Sequence, residues 1–551
     1  MRAFSHLYSE LDATTSTNAK IDALARYFAI ATPADAAWAV YFLCGGRPRQ
    51  TVPTKILRTT AIACARLPEW LFEECYQAVG DLAETIALVL PAPSRLSEFG
   101  LAYWIEERLL NLRGADPESV SLALSGYWDE LDAPGRFLLT KLIGGAFRVG
   151  VSKLLVTRAL AQLGQIDSKL VAQRLMGYTD MRRSPTADAY RLLLAPETQA
   201  CGEGVSREVL EGQPYPYFLA HPLGLPLEQL AAQLGPPDDW VIEWKYDGIR
   251  GQLVQRGNRS WLWTRGEELV NERYPELMTI GARLPEGTVL DGEILVWIDE
   301  KPGSFALLQQ RIGRKTLSAK LLREAPVSFL AFDLLERQGE DQRERTQALR
   351  RTDLEGVVNE AAHPRLRISP LVSGATWEDL DVLRASARAR GVEGFMLKSK
   401  SARYGVGRTK EGGVWWKWKL DPFTVDAVLV YAQRGHGRRA SLYTDFTFAV
   451  WDQPPGVAQR SLVPFAKAYS GLTDEEMREV DAIVRKTTVE KFGPVRSVEP
   501  TLVFELGFEG IQRSSRHKSG IAVRFPRMLR RRVDKTIGDA DTLATLEALL
   551  A

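Results

Sequence analysis

The residues of this chain best equipped for covalent chemistry are those at 243–250, Glu-Trp-Lys-Tyr-Asp-Gly-Ile-Arg. Lys245 is the nucleophile this stretch offers. A lysine that is desolvated and set beside other cations loses its proton and can attack an electrophile. It ends a β-prone run, Asp239-Trp-Val-Ile-Glu-Trp-Lys, and the turn-forming Asp247-Gly248 follows. The amine is therefore expected at a strand end, where the backbone can approach a bound ligand closely. Alone, Lys-x-Asp-Gly-x-Arg is weak. With each fixed residue at a frequency of roughly 6%, a chain this long carries it by accident about once in a hundred cases. The plain alternative is a surface hairpin with a solvated lysine.

Further chemistry follows in order. Val289-Leu-Asp-Gly-Glu-Ile-Leu-Val sets Asp291 and Glu293 in an apolar strand. A carboxylate there is costly unless it is paired, hydrogen-bonded or bound to metal. In Ser328-Phe-Leu-Ala-Phe-Asp-Leu-Leu, the odd spacing of Phe329 and Phe332 points them to opposite faces, so one belongs to the core and the other can face a pocket. Glu393-Gly-Phe-Met-Leu-Lys supplies Glu393 and Lys398, and Arg403-Tyr-Gly-Val-Gly-Arg is a basic, glycine-rich loop ending at Arg408. In Val414-Trp-Trp-Lys-Trp-Lys, a strand sends Lys417 and Lys419 to one face and Trp416 and Trp418 to the other. Two ammoniums on one face suit a phosphate that gains negative charge in a transition state.

In combination these segments resemble the motifs of the covalent nucleotidyltransferases, and among them the ATP-dependent DNA ligases best. The resemblance implies ATP and Mg²⁺ as cofactors and nicked double-stranded DNA as partner. It implies that Lys245 takes AMP from the α-phosphate of ATP and that Glu243 accepts from the adenine amino group. Arg250 and Arg265 would bind the sugar and phosphate side, and Phe332 would stack on the adenine. Glu293 would hold the ribose hydroxyl or Mg²⁺, Glu393 would bind metal, and Arg408, Lys417 and Lys419 would meet the nucleotide. Near the C-terminus, Arg524-Phe-Pro-Arg-Met-Leu-Arg-Arg-Arg-Val-Asp-Lys ends in Arg532 to Lys535, which resemble the motif that orients pyrophosphate.

The elements that must position these groups read as three domains, the natural division of 551 residues. Residues 1–205 are helical by their N-caps and apolar spacing, as at Ile21, Leu24, Ala25 and Phe28, and resemble the family's DNA-binding domain. Within them, the glycine-rich 141–152 stretch brings Arg148 to where it can hold a DNA phosphate, or is simply a helix-to-helix turn. A proline-rich aromatic linker from Glu211 opens an α+β adenylation domain, 206–421. There residues 241–266 read as a hairpin around Gly257-Asn258, returning Arg265 towards Lys245, and 305–314 as a structural helix. Residues 422–551 read as a β-barrel of OB type with a basic turn, Gly435-His-Gly-Arg-Arg, and a short terminal helix.

Net charge is only +2, but residues 513–535 carry nine basic side chains against Asp534 alone, as suits a polyanion or simply a solvated basic face. No apolar run is long enough to cross a bilayer, and the N-terminus has no signal core, so a cytoplasmic protein is expected; a monomer in solution is expected as well. The four cysteines form no Cys-x-x-Cys pair, which disfavours a disulfide framework and the zinc module of NAD-dependent ligases. An RNA ligase or capping enzyme is disfavoured by the long helical N-terminal region. A non-catalytic nick-binding scaffold is disfavoured by the full set of lysines and acids.

Overall fold

The computed structural model describes residues 1–46, 52–144, 147, 149–179, 184–196, 212–312, 314, 317–435, 442–457, 459–493 and 495–550. Arg148, Cys201, Glu211 and most of the basic turn after Gly435 lie outside the described residues. The N-terminal region is helical. Ser16 accepts from the Ala19 N–H to start Thr17–Ile30, and Thr32 accepts from Asp35 to start Pro33–Leu43, with Pro33 in its first turn. The chain divides into two compact units: Met1–Arg49, Phe99–Arg108 and Phe147–Leu420 form one, and Gln50–Glu98, Leu109–Ala146 and Asp421–Ala551 the other.

The first unit is built on two sheets. In one, the order is Arg259–Thr264, Ile249–Arg256, Thr288–Ile298, Val327–Arg337 and Glu340–Asp341, with Leu366–Ile368 parallel to Val327–Arg337. In the other it is His221–Pro222, Trp415–Lys419, Val392–Ser399 and Trp240–Tyr246. The stretch read as a single hairpin is therefore split. Gly257 and Asn258, at φ 55 and 59, do turn a hairpin. The Lys245 strand, however, pairs with Val392–Ser399 in the smaller sheet. The break at Asp247-Gly248 carries the chain from one sheet to the other.

Each sheet buries one face in its own core. Leu253, Leu290, Ile294 and Phe329 back the larger sheet. Ile242, Phe395, Leu397 and Trp418 back the smaller, against Leu230 and Trp377. A third cluster joins Val254, Val289 and Leu335 of the larger sheet to Trp415 of the smaller, with Tyr215 and Phe218 of the linker and with Phe332 at its edge. The linker is thus packed, as its composition predicts, and Phe329 and Phe332 do take opposite faces. Arg311, in the helix Phe305–Ile312, is structural: it is fully buried and paired with Glu276.

The second unit combines the remaining N-terminal helices with a strand-rich C-terminal part. There, Phe423–Arg434 pairs with Tyr443–Trp451, Val495–Val498 and Val503–Phe508, and Arg527–Arg531 adds to the last. The helix Asp474–Thr487 starts in a capping box between Thr473 and Glu476 and packs its Val480 and Val484 into this core. A terminal helix spans Leu543–Ala548. Among the described residues no helix is long and apolar enough to cross a membrane.

A fully buried ion pair locks the helix Gln347–Ala361 to the larger sheet. Arg350 meets Asp333 at 2.8 and 3.0 Å and spends its other donors on Gln347, Arg345 O and Ala402 O. Removing one partner strands a buried charge. Arg350→Met is expected to lose about 3–5 kcal/mol in urea unfolding, while Arg350→Met with Asp333→Leu recovers much of it. A single variant as stable as the wild type contradicts this.

Candidate active site

Cross-strand pairing dictates which side chains share the open face of the smaller sheet. Met396 lies opposite Glu243 on one side and Lys417 on the other. Residues paired directly across strands point the same way, and alternate residues repeat it. Glu243, Lys245, Lys398, Trp415, Lys417 and Lys419 therefore share this face, while Trp244, Trp416 and Trp418 turn to the core behind. The tryptophan–lysine alternation predicted from sequence holds.

Two glycines allow this face to close on its surroundings. A Cβ on Gly248 would come within 2.5 Å of Ile294 O and 2.8 Å of Glu293 Cγ, so only glycine lets the turn after Lys245 touch the Glu293 strand. The close approach is to a neighbouring strand. Gly394 has φ 128, and a Cβ there would meet Trp418 O at 2.3 Å. It sits with Glu393 where the register between Val392–Ser399 and the Lys245 strand shifts, and such a bulge re-aims a side chain. Glu393 meets Lys245 Nζ at 2.6 Å and Lys419 Nζ at 3.2 Å. Burial pushes the Glu393 carboxyl up, but Lys245 and Lys419 outweigh it and hold it below the usual range. All three side chains keep about a quarter of their surface exposed, at 24, 20 and 27% for Lys245, Glu393 and Lys419. The sequence placed Glu393 in the site as a metal ligand, without pairing it to Lys245. The structure adds its direct contact with the two lysines.

Deeper on the same face the charges are buried and paired. Glu243 takes Arg351 Nη1 at 2.7 Å on one oxygen and Lys398 Nζ at 2.6 Å on the other. Lys398 also donates to Phe332 O at 3.1 Å and lies 4.2 Å from the centre of the Phe332 ring. Across from it, Arg250 bonds Asp291 at 3.1 and 2.6 Å, Phe218 O at 2.7 Å and Tyr404 Oη at 3.2 Å. That leaves one of its five N–H groups. Burial would lower the Arg250 pKa, but Asp291 and Tyr404 raise it above the usual value. Tyr404 in turn donates to Asp291 at 2.6 Å. Arg265 is exposed, with its N–H on Arg250 O at 2.9 Å. Arg408 is also exposed, beside the bridge between Gly407 and Phe218.

Lys245, Glu243, Arg250, Glu293, Phe332, Glu393, Lys417 and Lys419 are thus gathered around the two facing sheets. Arg532 and Lys535 belong to the second unit, where both pair with Asp426. Sequence reasoning missed Arg351, Tyr404 and Trp415. Nothing local marks the first two. The third sits within the tryptophan-rich run, and its parity with Lys417 was the available signal.

Glu293 is the unbalanced group. It pairs in register with Arg250, yet burial lifts its carboxyl to about 7 despite Lys245 and Arg250. A carboxyl short of positive charge, near a second carboxylate, fits a hard cation. Among the described residues there is no cluster of three or more metal-ligating side chains. Mg²⁺ suits such a site, because it is usually bound by one or two carboxylates and completes its shell with water and phosphate oxygen.

An amine paired with an acid and set beside further amines is equipped to hold and transfer a phosphate-linked group. Comparison with known proteins agrees. Residues 218–419 match the family model for the ATP dependent DNA ligase domain, residues 1–161 that for the DNA ligase N terminus, and residues 439–535 that for the ATP dependent DNA ligase C terminal region. The chain is 30% identical to a probable DNA ligase of Koribacter versatilis, over 100% of this chain and 96% of that protein. It is 26% identical to a DNA ligase of Thermococcus fumicolans, over 90 and 88% of the two chains. A solved structure named Pmar-Lig_PreS3 shares the fold at TM-score 0.61 and 14% identity, over 96% of this chain and 99% of that one. The chain belongs to the ATP-dependent DNA ligases. It is accordingly a DNA-binding enzyme that joins DNA through an adenylate intermediate, using ATP and Mg²⁺.

Glu293 sets a pH test. Its folded pKa lies above the unfolded one, so between the ordinary carboxylate range and about 7 the folded protein keeps a proton that the unfolded chain has lost. Stability falls as pH rises through that window. Above it, the ionised carboxylate costs about 1–3 kcal/mol after allowance for its partial exposure. Glu293→Gln should melt higher than wild type at pH 8, and the difference should shrink towards pH 5. Equal melting temperatures at pH 8 would refute the assignment.

Proposed function

We propose that the enzyme seals nicks in duplex DNA with Lys245 as the AMP carrier. The observation that carries this reading is the half-buried Lys245 amine, held by Glu393 and flanked by Lys419 on the open face of the smaller sheet. Lys245 Nζ, as the free amine, attacks the α-phosphorus of ATP. A nitrogen–phosphorus bond forms, the bond to pyrophosphate breaks, and the amine proton goes to solvent. The 5′-phosphate oxygen of the nick then displaces the lysine from AMP. The 3′-hydroxyl finally attacks that 5′-phosphate, closes the phosphodiester and releases AMP.

The other residues orient and neutralise. Phe332 stacks on the adenine. Glu243, its orientation held by Arg351 and Lys398, keeps lone pairs for the adenine amine. Arg265 and the remaining Arg250 donor meet the sugar and phosphate side, with Arg408 from its loop. Lys417 and Lys419 stabilise charge growing on the α-phosphate. Glu293 and Glu393 would hold Mg²⁺, which supplies Lewis-acid neutralisation of phosphate charge; Glu293 alternatively takes the ribose hydroxyl. Arg532 and Lys535 orient the pyrophosphate. The corresponding division is a DNA-binding domain at 1–205, an adenylation domain at 206–421 and an OB-fold barrel at 422–551, in a monomeric cytoplasmic protein.

Intact-mass measurement after incubation with ATP tests this directly. Wild type should gain one AMP, and Lys245→Ala none, with nick sealing abolished. An alanine variant that still seals nicked DNA would overturn the reading.

A further inference from the structure

Arg265 is exposed, so packing does not aim it. What sets its direction is the turn that carries it. Three backbone bonds shape that turn: the Thr264 N–H donates to Glu268 O at 3.0 Å, Glu267 N–H to Thr264 O at 2.9 Å, and Arg265 N–H to Arg250 O at 2.9 Å. At its centre Glu267 has φ 61. That left-handed conformation is uncommon for a residue that is neither glycine nor a short polar side chain, and it persists when the surroundings over-determine it.

The surroundings here come from a distant part of the chain. Lys153, the first residue of the helix Lys153–Gly164, pairs with Glu267 Oε1, and the Gly177 N–H donates to Oε2 at 3.3 Å. Lys153 is itself held by Leu175 O at 2.9 Å. The pair is well shielded, its side chains 26 and 16% exposed. Gly177, at φ 73, lies so close to Trp263 that a Cβ would meet the ring at 3.0 Å. The segment 153–177 thus clasps the Arg265 turn from outside. Lys153 lies in the stretch matching the ligase N terminus, and Glu267 in the stretch matching the ATP dependent domain.

We propose that Lys153 is a positioning residue for nucleotide transfer: by holding Glu267 it fixes the 264–268 turn and hence the aim of Arg265. This rests on the reading in which Arg265 binds the nucleotide. On it, affinity for ATP depends on a side chain of the helical region that never touches the nucleotide.

The test is the ATP dependence of lysine adenylylation in the full-length protein, for Lys153→Met, Glu267→Gln, Arg265→Ala and the Lys153→Met/Arg265→Ala pair. Lys153→Met and Glu267→Gln should each raise the half-saturating ATP concentration about tenfold while leaving the maximal rate within about twofold. The pair should be no worse than Arg265→Ala alone. A purely structural role would instead lower the melting temperature and the active fraction without shifting half-saturation. Glu267→Gln keeps the side chain's shape and serves if Lys153→Met fails to fold. Unchanged ATP dependence in both variants of the Lys153–Glu267 pair, or losses that simply add to that of Arg265→Ala, overturns the inference alone. An Arg265→Ala protein with normal ATP dependence overturns the underlying reading of Arg265.

Discussion

Four lysines on one face of a four-stranded sheet repel one another, and the site is organised by how that repulsion is balanced. Two carboxylates do most of it, in different ways. Glu243 is buried with both oxygens taken by Arg351 and Lys398. Such a buried, paired network is rigid, because any rearrangement leaves a desolvated charge unpaired. Glu393 is partly exposed and shared between Lys245 and Lys419. Water can replace either contact there, so the same charge pairing is loose. The sheet face thus has a fixed inner end and an exchangeable outer end, and Lys245 sits at the outer one.

The backbone makes this division possible. Glu243 and Lys245 are two residues apart on one strand and share a face, and Trp244 between them pairs with Phe395, so the rigid end sets where Lys245 lies. The bulge at Glu393-Gly394 then puts an acid opposite Lys245 where regular pairing would turn it elsewhere. Both glycines that bring the walls together do so by lacking a Cβ at a close approach, and only Gly394 also needs its positive φ.

Much of this was legible because period-two alternation is a local signal. The face shared by Lys417 and Lys419, the opposed Phe329 and Phe332, and the strand ending at Lys245 all follow from spacing within a few residues. The cost of a buried carboxylate likewise marked Asp291, though not its partners Arg250 and Tyr404. What was not legible depends on pairing between distant strands. The hairpin reading of 241–266 held at Gly257-Asn258 but wrongly took in the Lys245 strand, because nothing local distinguishes a turn within a sheet from a passage between two sheets. Arg351 was missed because it lies on a mostly polar helix, where an arginine is ordinarily solvated. Only the fold shows it reaching Glu243.

The exchangeable end has a consequence for a lysine that carries AMP, as in the proposed function. The nitrogen–phosphorus bond removes the ammonium that Glu393 holds, so loading deletes one of that carboxylate's two cationic partners and leaves Lys419. Glu293, already pushed to about 7 by burial with Lys245 among its compensating charges, loses part of its compensation in the same event. Empty and loaded enzyme therefore differ in the electrostatics of both acids, while the Glu243 network, two residues away, keeps all of its partners. A site that must be charged with a nucleotide and then emptied onto DNA needs that combination: a local balance that shifts with each transfer, on a base that does not.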